Sequence, residues 1–238
     1  MDRPLSAVHS ISIVIPALNE AANLARLLPD LAGRAEAPDV IVVDGGSADG
    51  TADVVKTTGR ARYLASPPGR ARQMNAGARV ARGDVLLFLH ADTYLAEGAL
   101  AAVEQAMADP GVVGGRFDVC FDTARPVMRM VAWFINRRSR VSGIATGDQA
   151  IFVRRAAFEA LGGYPDLPLM EDVELSRRLK RHGRVVCLRE IATTSARKWE
   201  QEGVTRTILL MWLVRFLYFC GVSPARLHRL YYRRPAAE

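Results

Sequence analysis

The sequence predicts an α/β fold with a mainly parallel central sheet flanked by helices. Short apolar runs alternate with segments of helical periodicity, which is the pattern of a parallel sheet with crossover helices. Several of the apolar runs end in polar loops, and ligands bind in such loops in open α/β sheets. Half of the 238 residues are hydrophobic and 24% are charged, which fits one large globular domain.

The first half of the chain alternates strands with helices. Strands are predicted over 9–15, 40–43, 61–65 and 85–89. Pro16 should close the first strand, and Asn19 should cap a helix that begins near Glu20. Further helices are predicted through 54–55 and over 73–82 and 97–108, the last of which ends at an Asp-Pro-Gly turn.

The second half is less regular. An exposed or edge strand is predicted over 114–121, and further strands over 149–153 and 184–188. Helices are predicted over 127–135, 156–161 and 171–181. A strongly apolar helix over 204–219 precedes a basic end.

Net charge indicates the class of binding partner, and the cysteine content indicates the redox state of the compartment. The formal net charge is +7, which favours anionic partners such as nucleotides, lipid phosphates or an acidic membrane face. No helix-turn-helix, zinc-ligand or RNA-binding motif is visible, so we expect no nucleic-acid partner. The three cysteines are far apart and predict buried, reduced thiols. Without an apolar leader at the N-terminus, the expected location is the cytoplasm.

Three acidic motifs carry the expected chemistry. Asp44 and Asp92 each follow an apolar strand, and the pair Glu171-Asp172 stands at a predicted helix start. Carboxylates at strand ends suit a nucleotide together with a divalent metal, because Mg²⁺ and Mn²⁺ prefer oxygen ligands. A carboxylate can also remove a proton.

Two motifs carry a family resemblance. Residues 14–20 read VIPALNE and residues 43–51 read VDGGSADGT. They resemble the "V-x-P-x-x-N-E" and "V-D-D/G-G-S-x-D-G-T" signatures of family 2 glycosyltransferases, which have the GT-A fold. The resemblance covers residues 10–200 or so. It implies a UDP-linked nucleotide-sugar donor, with Asp44 at its uracil or ribose. The residues implied to contact the donor are Pro16, Ala17, Asn19, Glu20, Asp44 and Gly45.

The segment before the fourth strand extends this resemblance. Residues 69–77 read GRARQMNAG, similar to a basic Asn-Gly segment of the family. Arg70 or Arg72 is implied to contact the base or the diphosphate, since guanidinium suits phosphate geometry. Asn75 is expected to help bind the substrate.

Residues 89–93, LHADT, occupy the place of the family's D-x-D motif. Asp92 is implied to hold Mn²⁺ or Mg²⁺, with Ala91 among the substrate contacts. His90 stands where the family usually has an Asp, and is a metal ligand, a ribose contact or a packed strand-end residue. The segment is most similar to a bacterial subgroup with His-Ala-Asp at this position, some of whose members are assigned to arsenosugar biosynthesis.

The acceptor side follows from later motifs. Glu171-Asp172 resembles the family's E-D pair, and Asp172 is the expected general base for an inverting displacement, with Glu171 beside it. Asp148 contacts a sugar hydroxyl or shapes a turn. Residues 195–199, SARKW, depart from the "Q-x-x-R-W" of processive members, which argues against a polymer-making enzyme. Trp199 stacks on a sugar or is structural.

The resemblance divides the chain into three parts. Residues 1–115 form the nucleotide-sugar-binding half and 116–203 the acceptor-binding and catalytic half, followed by a C-terminal amphipathic helix and basic tail over 204–238. That helix is expected either to contact an anionic membrane peripherally, at the inner membrane face, or to pack on the core or in a homodimer. The predicted function is metal-dependent transfer of one sugar to an acceptor hydroxyl. The alternatives are a sugar-phosphate nucleotidyltransferase and a non-catalytic protein that binds nucleotide-sugars or lipid phosphates.

Overall fold

The computed structural model describes residues 10–232. Its strands are β1 (Ile11–Ala17), β2 (Asp39–Asp44), β3 (Arg62–Ala65), β4 (Val85–Phe88), β5 (Thr93–Leu95), β6 (Val112–Phe121), β7 (Ile151–Arg154) and β8 (Arg184–Thr194). Its helices are α1 (Ala21–Ala32), α2 (Thr51–Thr58), α3 (Arg70–Val80), α4 (Ala99–Met107), α5 (Pro126–Ser142), α6 (Arg155–Ala160), α7 (Glu171–His182), α8 (Arg197–Glu202), α9 (Val204–Phe219) and α10 (Pro224–Tyr231). A 3₁₀ turn spans Gly147–Gln149.

All eight strands lie in one mixed sheet of order β3-β2-β1-β4-β7-β6-β8-β5. The first four strands in this order are parallel, as predicted, whereas β7 is antiparallel to both of its neighbours. β6 and β8 are parallel, and β5 runs antiparallel to β8. The carboxyl ends of β1, β2 and β4 therefore meet at one edge, which is the edge expected to bind a ligand.

The first strand ends two residues later than predicted. β1 continues through Pro16 to Ala17, while the predicted start at His9 lies outside the described residues. Pairing with β4 ends at Val14, whose carbonyl accepts a hydrogen bond from Leu89, so Pro16 lies beyond that ladder. The missing N–H of proline therefore costs no hydrogen bond, and the prediction that Pro16 closes the strand was wrong.

Apolar clusters cover the two faces of the sheet. Alternate residues of β1, Ile11, Ile13 and Ile15, pack with α1 and α4, whereas Val14 packs with α3 and α7. Helix α3 lies unusually close to the sheet, because a side-chain carbon at Gly77 would stand 2.3 Å from Val14 Cγ1. This close approach fixes the height of α3 above the ends of β1 and β2.

The predicted edge strand over 114–121 was assigned wrongly. β6 lies inside the sheet between β7 and β8, and most of it is buried. Gly114 and Gly115 permit this placement, because an added Cβ at either one would stand 2.5 Å from the carbonyl oxygen of Phe152 or Val186. β6 also crosses position 115, so one continuous sheet runs through both predicted halves of the domain.

The C-terminal helices pack on the second half of the chain. Ile208 and Met211 of α9 contact a cluster that contains Met128 and Val131 of α5. Further along α9, Val214 packs with Met170 and Val173 at the start of α7. Five apolar residues of α9 remain exposed: Leu209, Trp212, Leu213, Phe216 and Phe219. The residues on its outward side are therefore not the polar ones expected of an amphipathic helix in water.

Candidate active site

Asp44 lies buried at the end of β2 in a dense hydrogen-bond network. Its Oδ1 accepts bonds from the Ser47 hydroxyl at 2.6 Å and from the Ser47 amide at 2.9 Å. Its Oδ2 accepts a bond from the Tyr63 hydroxyl at 3.0 Å. Burial acts to raise the pKa of Asp44, but these hydrogen bonds outweigh it and lower the pKa below its usual value. Asp44 is therefore a fixed anion at the predicted donor edge.

The loops after β1 and β2 hold each other in place. Asn19 adopts a left-handed conformation, with φ of 58°, and its Oδ1 accepts a hydrogen bond from the Ala48 amide at 2.9 Å. Asp49 accepts hydrogen bonds from the Ala21 amide and from Thr51. The prediction that Asn19 caps α1 was wrong, because its side chain makes its hydrogen bond across the two loops instead.

Gln73 is a site residue that the sequence did not reveal. Its side chain is buried, and its Nε2 donates to the carbonyls of both Ala17 and Val43 at 2.8 Å. It thereby ties the end of β1 to the end of β2 beneath the candidate donor loops. Gly45 is needed beside it, because an added Cβ would stand 3.0 Å from Gln73 Nε2. A polar residue one helical turn before the close-packed Gly77 was the available signal.

The end of β4 carries His90 and Asp92 in different environments. His90 Nδ1 lies 3.4 Å from Asp148 Oδ1, while its buried Nε2 has no hydrogen-bond partner among residues 10–232. Gly147 covers Nε2 so closely that an added Cβ would stand 2.5 Å away. Asp92 is partly exposed and makes no side-chain hydrogen bond or ion pair within the described part of the chain. The structure therefore favours a packed His90 and leaves the carboxylate of Asp92 available.

Glu171 and Asp172 open helix α7, as predicted. Met170 precedes them with a left-handed φ of 71°, which turns the chain sharply into the helix. Asp172 Oδ2 accepts a hydrogen bond from the Gly147 amide at 2.9 Å, and Oδ1 accepts one from the Val173 amide at 2.7 Å. Burial and the charge of Asp172 raise the pKa of Glu171, although Arg70 opposes the shift. Gly147 thus contacts both His90, after the end of β4, and Asp172, at the start of α7.

The structure distinguishes the two candidate arginines. Arg70 Nη1 lies 3.7 Å from Glu171 Oε1, whereas Arg72 forms an exposed ion pair with Asp166 at 2.9 Å. Asn75 is directed to the backbone of Tyr164, to which it donates one hydrogen bond and from which it accepts another. Arg70 is therefore the one of the three that borders Glu171.

Side chains from these elements line a small pocket. It is lined by Arg70, Met74, Phe88, His90, Gly147, Ile151, Tyr164, Glu171 and Asp172. Tyr164 was not foreseen, because it follows two glycines in a loop without a recognisable motif. Burial, together with the charges of Asp172 and Glu171, raises its pKa well above the usual value. Its hydroxyl therefore remains a hydrogen-bond donor at neutral pH.

The other predicted site residues do not line this pocket. Pro16, Ala17, Glu20 and Ala91 belong to the strand ends and loops described above. Asp148 lies beside His90. Burial acts to raise the pKa of Asp148, but His90, Arg70 and Lys198 together lower it. Trp199 is buried edge-on against Phe121 at 5.6 Å between ring centroids, which favours its structural role. The three cysteines are free, but Cys220 is exposed, so the prediction that all are buried was wrong.

Residues 12–162 match the family model of glycosyl transferase family 2. The chain belongs to glycosyltransferase family 2. The predicted family, and with it the glycosyltransferase class, is therefore confirmed. The predicted His-Ala-Asp subgroup and its link to arsenosugars stay predictions.

Curated relatives of this family 2 chain are distant. It is 27% identical over 226 residues to "Probable glycosyltransferase YdaM" of Bacillus subtilis, covering 84% of this chain and 53% of that one. It is 34% identical over 108 residues to "4,4'-diaponeurosporenoate glycosyltransferase" of Staphylococcus haemolyticus, covering 42% and 29% of the two chains. The chain thus spans about half the length of the Bacillus relative.

Solved structures confirm a GT-A fold for this family 2 chain. The mannosyltransferase PcManGT of Pyrobaculum calidifontis, in complex with GDP-Man and Mn²⁺, has a TM-score of 0.71 at 20% identity, covering 95% of this chain and 70% of that one. S. aureus TarS 1-349 in complex with UDP-GlcNAc has a TM-score of 0.65 at 17% identity, covering 93% and 70%. Among residues 10–232, no helix has both the length and the apolar character needed to cross a bilayer.

Proposed function

We propose that this chain transfers a single sugar from a nucleotide-sugar to an acceptor hydroxyl with inversion, and that Asp172 is the general base. One observation carries the proposal: Asp172 is held by the Gly147 amide at 2.9 Å in a pocket that also contains Arg70 and His90. Phe88 and His90 in its lining belong to the end of β4, which Asp92 follows. The segments that contain His90 and Glu171-Asp172 both line this pocket, which supports the proposal.

The reaction follows from these positions. The carboxylate of Asp172 takes the proton of the acceptor hydroxyl as its oxygen bonds to the anomeric carbon. The bond from that carbon to the diphosphate breaks on the opposite face, which inverts the centre. Asp44 is proposed to hold the nucleoside, and Arg70 to interact with the diphosphate. UDP and GDP sugars both occur in structural neighbours, and we propose a UDP-linked donor here.

The residues present fit a divalent ion that is held mainly by the donor. No group of three or more His, Cys, Asp or Glu side chains is arranged for a metal within residues 10–232. Mg²⁺ and Mn²⁺ commonly use one or two carboxylates together with substrate phosphates. We propose that Asp92, whose carboxylate has no partner in the described chain, is this ligand. When bound, the ion would neutralise charge on the departing diphosphate.

Product analysis with nucleotide-sugars and Mn²⁺ or Mg²⁺ tests the function. We expect release of a nucleoside diphosphate that depends on the metal and that falls at least about tenfold in Asp92→Ala, because the ion loses its protein ligand. The control Glu97→Gln removes an exposed carboxylate nearby and should retain activity. Release of pyrophosphate would instead support the nucleotidyltransferase. Tight nucleotide binding without turnover would support the non-catalytic alternative.

We also propose that helices α5 and α9 bring the protein to an anionic bilayer. Both helices expose large apolar side chains, including Trp133, Phe134, Trp212 and Phe216. Helices α5, α9 and α10 contain arginines but no Asp or Glu, so the charge around this apolar surface is complementary to acidic lipids. The predicted tail residues Arg233 and Arg234 lie outside the described residues.

Vesicle flotation checks this surface. The protein should float with phosphatidylglycerol-containing vesicles but much less with phosphatidylcholine alone. The double variant Trp212→Glu/Phe216→Glu should lose flotation, whereas Val80→Glu, at the end of α3, should not. Sedimentation of the same proteins tests whether this surface is instead the interface of the predicted homodimer. A wild-type homodimer that the double variant abolishes, without flotation of either protein, would overturn the membrane proposal.

A further inference from the structure

Two arginines outside the residues discussed so far lie near the proposed base. Arg138 is on α5, next to Ser139, whose hydroxyl accepts a hydrogen bond from Arg116 at 3.0 Å. Arg215 is on α9, next to Val214, which packs against the residues on either side of Glu171-Asp172. Two different helices thus carry arginines whose charges act on Asp172.

Within residues 10–232, neither arginine has a direct partner. Arg138 Nη2 is buried and makes no hydrogen bond within residues 10–232. In the same part of the chain, neither guanidinium forms a hydrogen bond or an ion pair with a carboxylate. Both side chains are partly buried. A buried guanidinium nitrogen without an acceptor is costly, and a bound anion that accepts its hydrogen bond would remove that cost.

The two cations also act on each other. Burial and then the charge of Arg215 lower the pKa of Arg138 to about 10, with Asp172 acting in the opposite direction. Burial likewise lowers the pKa of Arg215, while Asp172 and Asp148 act to raise it. Arg138 therefore remains charged at neutral pH, although the like charge of Arg215 acts on it. An anion placed between the two would relieve both effects.

We propose that Arg138 and Arg215 together bind a phosphate group carried by the acceptor. This inference rests on the proposed function, since it places the phosphate next to the base that receives the acceptor's proton. Guanidinium groups bind phosphate oxygens through paired, charge-assisted hydrogen bonds. The candidate donor contacts come from the ends of β1, β2 and β4 and from α3, whereas these arginines come from α5 and α9. The substrate class is therefore a phosphorylated hydroxyl compound.

Binding measurements on the free protein test the pair. The probes are glycerol 1-phosphate, for a soluble acceptor, and dihexanoyl phosphatidylglycerol below its micelle concentration, for a lipid acceptor. Arg138→Gln and Arg215→Gln should each lower the affinity for the tighter-binding probe by about tenfold, as expected for one lost charge-assisted hydrogen bond. Arg79→Gln on α3 and Arg181→Gln on α7 remove exposed charges outside the apolar surface and should leave the affinity unchanged.

Nucleotide binding, measured in parallel, separates the outcomes. Affinity for UDP or GDP with Mn²⁺ should be the same in all four variants and in the wild type. Loss of nucleotide affinity in Arg138→Gln or Arg215→Gln would assign the pair to the donor diphosphate and overturn the acceptor proposal. Equal weakening of the phosphate probes by the two control variants would overturn it as well, because it would show a diffuse charge effect. If nucleotides fail to bind the wild type, the proposed function fails independently of these results.

Discussion

Replacing Asp172 with asparagine is expected to reduce sugar transfer about 100- to 10,000-fold, the contribution typical of a general base. An amide cannot accept the proton of the acceptor hydroxyl, so the loss should appear in kcat and not in donor affinity. The measurement is the initial rate of nucleoside diphosphate release at saturating donor, together with the dissociation constant of the donor.

The environment of Asp172 dictates the control. Its two oxygens accept hydrogen bonds from the Gly147 and Val173 amides, and asparagine can satisfy only one of them. Ser176→Ala removes neighbouring bonds, to the Asp172 carbonyl and from the Ala145 amide, but leaves the carboxylate in place. It should slow transfer far less than Asp172→Asn. Transfer at the wild-type rate in Asp172→Asn would show that another group takes the proton.

Replacing Gln73 with leucine is expected to lower the free energy of unfolding by about 2–4 kcal/mol, because two buried carbonyls lose their shared donor. Leucine has a similar size, so the effect reports on the unpaired carbonyls of Ala17 and Val43 more than on a cavity. The measurement is chemical denaturation followed by circular dichroism. Gln105→Leu, on the exposed side of α4, should change stability by less than about 0.5 kcal/mol.

The same substitution should also weaken binding of the nucleotide-sugar donor. The carbonyls that Gln73 holds belong to the strand ends that carry the loops of Asn19 and Asp44. We therefore expect nucleotide affinity to fall together with stability in Gln73→Leu. Unchanged stability would mean that water or a shift of α3 replaces the lost hydrogen bonds, and that Gln73 does not set the spacing of these two strands.

The sequence predicted the strand ends of the site well, because local signals determine them. Apolar runs followed by polar loops place Asp44 and Asp92 correctly after strands, and the acidic pair Glu171-Asp172 lies at the predicted start of a helix. The interior position of β6 could not be read in the same way. It depends on Gly114 and Gly115 lying against β7 and β8, and β8 begins at residue 184.

The residues that were missed depend on contacts far apart in sequence. Gln73 is buried where Gly77 lets α3 approach β1, and this close contact cannot be seen in the sequence of α3 alone. Arg70 and Arg72 could not be separated, because residues two apart on a helix point in different directions. Arg72 instead forms its ion pair with the exposed Asp166, which is 94 residues later in the sequence.

The contact between His90 and Gly147 has a consequence for how this sequence can evolve. The two positions behave as one unit of change, because the imidazole occupies the space that any side chain at 147 would need. A shorter residue such as aspartate at 90 would remove that obstacle, and larger residues at 147 would then become acceptable. Relatives should therefore covary at these two positions, and a single substitution at 147 should be tolerated only after the change at 90 has occurred.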